Sequence, residues 1–155
     1  MPAFYEIHDS ILERLEWDGS VLELTFRAIS TLSDNDSPLA CGRQRIVLRI
    51  ENATLTGDKV EPEIWLLDGD FVCESQISHE QDQGNGVIAA SLERAERIHL
   101  HLFGENEDTR EFPTFDIHGD SLTLRKLEAV RWSKKYIPVI QSAGAKTLGI
   151  GAFDC

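Results

Sequence analysis

Apolar residues in this chain recur at every second position far more often than at every third or fourth. Leu22, Leu24 and Phe26 alternate with Glu23, Thr25 and Arg27, the period of a strand with one dry and one wet face. The stretch RQRIVLRIENATLTG repeats the pattern, with Ile46, Leu48 and Ile50 against Arg45, Val47 and Arg49. In RIHLHLFGE, Ile98, Leu100 and Leu102 share one face, and His99, His101 and Phe103 share the other. Ile11, Leu12, Leu15 and Trp17 lead into Asp18-Gly19 just ahead of the first alternating run. An Asp-Gly pair suits a type I′ turn, whose two central residues both need positive φ, so residues 11–27 are predicted to form a hairpin.

The same turn grammar recurs at Asp68-Gly69 and at His118-Gly119, each followed by apolar residues in alternation. Polar segments at 30–42, 78–86 and 104–113 are rich in Gly, Pro, Asn and Asp and are predicted to be loops. Helical spacing occurs at Ile88, Leu92 and Ala95, which predicts a short amphipathic helix over 86–97. Beyond Leu124 the periodicity fits a strand and a helix equally. The expected fold is mainly β: a single antiparallel meander, sandwich or partly closed barrel of seven to ten strands with at most one or two helices. Residues 1–155 form one domain, in which 141–155, with three glycines and little pattern, is a tail that orders only by docking on the body.

Composition adds class and compartment. A chain of 155 residues with 41% hydrophobic and 27% charged content is that of a soluble globular protein. It has no apolar run of the ~20 residues that a spanning helix requires, and MPAFYEIHDS lacks the features of a secretory signal. Three widely spaced cysteines, Cys41, Cys73 and Cys155, argue against a disulfide framework and for a reducing cytoplasm. Trp17, Trp65 and Trp132 lie in or beside apolar runs, which predicts core packing, whereas an exposed Trp would mark a binding hot spot.

Charge narrows the partners. Residues 1–124 carry 25 acids and 9 bases, and residues 125–155 carry 2 acids and 6 bases. A body with this negative excess repels phosphate backbones and anionic lipid surfaces, which disfavours nucleic-acid and membrane binding. The same field speeds encounter with a basic protein. The acidic loops supply the candidate contacts: Asp34, Asp36, Glu105, Glu107 and Asp108.

Candidate chemistry is sparse. His8, Asp9 and Ser10 are adjacent, and adjacent residues cannot form a catalytic triad; a turn in which Asp9 or Ser10 satisfies backbone groups fits better. No nucleophile elbow, Walker loop or HExxH helix is present. His99 and His101 project from the same strand face, where two imidazoles and a carboxylate would suit one divalent transition metal. A solvated strand face calls for polar residues in any case, so the base expectation is no cofactor.

HxH followed by Glu, here His99, His101 and Glu105, resembles the first motif of the cupin barrels. That resemblance implies a metal-binding β-barrel enzyme or sensor. The cupin glycines that flank the motif fall at Glu93 and Phe112 of this chain, and no second motif follows. The opening FYEIHDSILERLEWDGSVLELTF is similar to the N-terminus of small bacterial β-rich proteins, some of them similar to immunity proteins of polymorphic toxin systems. That resemblance spans about 25 residues. It implies a stoichiometric, non-catalytic inhibitor that occludes a basic partner such as a toxin nuclease domain.

Overall fold

The computed structural model describes residues 3–34, 37–74 and 86–133, with side chains left out at 33, 34 and 37–39. Nine strands account for the regular structure of these residues, and none of them is helical. The strands are β1 (Ala3–Trp17), β2 (Leu22–Asp34), β3 (Ser37–Glu51), β4 (Thr54–Gly57), β5 (Ile64–Val72), β6 (Val87–Ala89), β7 (Arg94–Glu105), β8 (Thr114–Lys126) and β9 (Arg131–Trp132). Every pairing is antiparallel. The order β8-β7-β5-β1-β2-β3 returns to β8 through a β3–β8 ladder, so six strands close a barrel, while β4, β6 and β9 extend its rims.

Alternation explains which side faces in. Leu22, Leu24, Leu48, Ile50, Leu102 and Leu122 are fully buried inside the barrel, each worth roughly 2 kcal/mol of transfer free energy. Their neighbours Glu23, Arg49 and His101 lie outside. The interior is filled: the space between Tyr5, Phe26, Leu48, Leu100 and Leu102 is about 20 Å³, on the order of one water. No ligand fits among these side chains. One polar chain crosses the wall. The Tyr5 hydroxyl donates to Gln44 Oε1 at 2.6 Å, and Gln44 Nε2 donates to the Glu128 carbonyl at 2.6 Å; burial pushes the Tyr5 hydroxyl up to about 12.

Several expectations are corrected. The β1–β2 connection is a four-residue loop, because Trp17 pairs with Leu22. Gly19 alone of the Asp-Gly pair has positive φ, +96°. Asp18 Oδ1 accepts from Ser20 N and Val21 N at 2.8 and 2.7 Å, so the aspartate side chain shapes the turn in place of a type I′ backbone. Asp68-Gly69 and His118-Gly119 are not turns but lie within β5 and β8. Their glycines permit close approach: a Cβ on Gly69 would stand 2.5 Å from Ile7 Cγ2, and one on Gly119 2.2 Å from Ile50 Cγ2. Segment 30–42 belongs largely to the β2–β3 hairpin, although 104–113 does connect β7 to β8. Residues 78–85 and the tail 141–155 lie outside the described residues.

The helix expected at 86–97 is instead β6, a turn and the start of β7. Pairing of β6 with β1 and a positive φ of 48° at Arg97 break the helical register. All three tryptophans are exposed, Trp17 at 44%, Trp65 at 39% and Trp132 at 41%, against the expectation of core packing. Cys73 is a buried thiol, whereas Cys41 is buried and disulfide-bonded, so cysteine spacing misled in part. No helix among the described residues is long and apolar enough to cross a membrane.

Candidate functional site

β1 does not run straight. Its pairing with β2 jumps from Glu6↔Ile29 to Ile11↔Arg27, and Asp9 sits at φ +68°. This is a bulge, which bends a strand and re-aims its side chains. Ser10 closes the gap: its buried hydroxyl donates to the Glu6 carbonyl at 2.5 Å and accepts from Ile29 N at 3.0 Å. Of His8, Asp9 and Ser10, it is Ser10 whose side chain acts on the backbone. His8 Nδ1 lies 3.0 Å from Asp9 Oδ2, with both side chains exposed.

Beside the bulge lies a groove of about 820 Å³, within the range of ligand and partner sites. Five carboxylates line it: Glu6 and Asp9 from β1, Glu63 just ahead of β5, and Glu107 and Asp108 from the β7–β8 loop. Ile11, Ile29 and Cys41 form its apolar floor, Trp65 stands in it, and His8 and Arg43 are its basic side chains. Trp65 Nε1 donates to Asp9 Oδ1 at 3.1 Å, which fixes the indole of this exposed residue. Among the described residues, the side chains of Glu63, Glu107 and Asp108 have no hydrogen-bond or ion-pair partner. Among the described residues Arg43 forms no ion pair and its buried Nη1 has no acceptor, so the groove's own guanidinium does not neutralise them. Burial raises the Glu6 carboxyl above its ordinary range, opposed by His8 and reinforced by Asp9.

The loop that delivers Glu107 and Asp108 is tied down at its base. Asn106 is buried; its Oδ1 accepts from Asp108 N at 3.0 Å and Thr109 N at 3.1 Å, and its Nδ2 donates to the Glu61 carbonyl at 2.7 Å.

The histidines form a different surface. His99 pairs across strands with His118, and His101 with Asp116. His99 Nε2 and His101 Nδ1 both donate to Asp116 Oδ1, at 2.8 and 2.9 Å. Those two bonds hold the Asp116 carboxyl below its ordinary range. The His99 and His118 rings stack at 4.1 Å and 8°, and Asp70 of β5 stands opposite His101. Glu105 is four residues further along β7 and lies 3.5 Å from Arg110 Nη1. His99, His101 and Glu105 therefore do not converge, and no group of three or more His, Cys, Asp or Glu among the described residues is arranged to hold a metal ion.

Of the acidic residues expected to meet a partner, Glu107 and Asp108 line the groove and Glu105 is turned aside by Arg110. Asp34 ends β2 with its side chain outside the described residues, and Asp36 lies outside them altogether. Sequence reading missed Glu6, Asp9, Glu63 and Trp65. The available signal was the HDS segment interrupting alternation in β1, which marks a bulge. No family model matches this chain, and neither does any curated protein or solved structure.

Proposed function

We propose that the chain is a non-catalytic binding protein whose acidic groove takes a basic protein partner, in the manner of an immunity-type inhibitor that occludes a toxin domain such as a nuclease. The observation that carries this reading is the set of unpaired carboxylates Glu63, Glu107 and Asp108 in the groove that the exposed Trp65 also lines. Unpaired charge on one partner is what electrostatic steering and complementarity act on. An exposed Trp beside it supplies the kind of anchor that dominates interface energies. A nuclease cleft is basic, so a surface of this sign blocks it directly. In this reading the protein acts in the cytoplasm of the cell it protects, against the oxidising compartment that the Cys41 disulfide favours, and it needs no cofactor.

At His99, His101 and Glu105 no observation favours a metal-dependent second reading, because the two imidazoles are committed to Asp116 and Glu105 faces Arg110. The test has two steps: whether a gene beside this chain's encodes a toxin-tipped protein, and whether this chain co-purifies with and protects against that protein's C-terminal domain. A stoichiometric complex is expected, with an association rate that falls steeply as salt rises. No complex and no protection at low salt would overturn the proposal.

A further inference from the structure

The geometry points to an arginine, rather than a lysine, as the partner side chain that the groove seats, with its guanidinium stacked on Trp65 between Asp9 and the pair Glu107 and Asp108. This inference rests on the groove being the partner site. Three features carry it. First, the Trp65 N–H is already engaged by Asp9 at 3.1 Å, so what the indole still offers a ligand is its π face. A planar, weakly hydrated guanidinium stacks on such a face and also pairs with carboxylates in a bidentate fork, whereas an ammonium is a strongly hydrated point charge.

Second, Glu63, Glu107 and Asp108 line the same groove as the ring, their side chains without partners among the described residues, so acceptors stand free for the several N–H donors of one guanidinium. Third, the floor of Ile11 and Ile29 suits the aliphatic stem of a long side chain, which buries its methylenes while its head stays polar. The groove's volume of about 820 Å³ admits the loop that carries the arginine as well as its side chain. A cation seated there also favours the ionised form of Glu6, whose buried carboxyl otherwise resists charging. Arginine binding therefore releases protons and weakens as the medium is acidified.

The test uses the full chain and two synthetic peptides, Ac-Gly-Ser-Arg-Arg-Ser-Gly-NH2 and its Lys-Lys counterpart, titrated at low salt while the Trp indole N–H resonances are followed. The arginine peptide should bind about threefold tighter than the lysine peptide, the discrimination expected of one exposed cation–π contact, and should shift the Trp65 resonance in preference to those of Trp17 and Trp132. Trp65→Ala should erase the discrimination, Trp65→Phe should keep part of it, and Glu107→Gln with Asp108→Asn should weaken both peptides. Retained indole signals of Trp17 and Trp132 verify that each variant folds. Equal affinities for the two peptides, or discrimination that survives Trp65→Ala, overturn the arginine seat while leaving a basic partner in place. Failure of either peptide to move any groove resonance removes the acidic partner site along with it.

Discussion

Two stretches of the outer wall use the same residue types to opposite ends. Where β1, β2 and β3 run side by side, Glu13 accepts from Arg45 Nε at 2.8 Å and from Arg27 Nη2 at 3.1 Å. Its side chain is only 12% exposed, and the Arg45 hydrogen bond foremost lowers its pKa. A few residues earlier on β1, past the bulge, carboxylates crowd a groove whose Arg43 pairs with none of them. In the first region charge is spent on holding strands together. In the second it is left over. Net charge of −12 describes the whole chain, but pairing decides where that charge is free to recognise something.

The sharpest way to break the contrast is at Ser10, which creates the groove's edge without carrying charge. Ser10→Ala leaves the Ile29 N–H and the Glu6 carbonyl without their partner in a buried setting, a loss of about 2 kcal/mol measurable by urea denaturation. It should weaken partner binding as well, because the bulge re-aims Glu6 and Asp9. A cost near zero would mean that water fills the gap and the hydroxyl is incidental.

Glu13→Ala should cost less, about 1 kcal/mol, since both arginines are part-exposed and regain water. Partner affinity should stay unchanged. The pH dependence follows from the lowered carboxyl: its contribution is present above the unfolded carboxylate pKa and is lost as pH falls through the lower folded value. The variant's stability should therefore decline less between about pH 5 and pH 2 than the parent's, and parallel acid titrations would refute the clamp.

Glu6→Gln should act in the opposite direction and least of all. A folded pKa raised by burial means that the stabilising contribution exists below the unfolded value and disappears as pH rises through the folded one. Removing the charge should then raise the melting temperature at neutral pH by about 1–2 °C while reducing partner affinity. A lower melting temperature would show that the ionised group is needed for the fold.

The barrel's strands were readable because each buries one face, and alternation in Leu22–Phe26, Ile46–Ile50 and Ile98–Leu102 records that directly. What could not be read was closure. Gly69 and Gly119 look like turn residues in a local window, and only the distant side chains of Ile7 and Ile50 give them their reason. Trp65 looked like core for the same reason, since its apolar neighbours Ile64 and Leu66 face inward while it faces out. The histidine pair was correctly placed on one wet face, but its partner Asp116 lies 15 residues from His101 on the neighbouring strand, beyond any motif window. Within the groove, Glu107 and Asp108 were legible as acidic loop residues. Their companions come from two other segments that only the register of β1, β5 and β7 unites.

Asn106 has a bearing on how such a surface diversifies. Because one buried amide dictates the course of the loop through main-chain contacts alone, the two side chains that follow it are spectators to folding. Replacing residues 107 and 108 should therefore change the charge of the rim while the scaffold beneath stays the same.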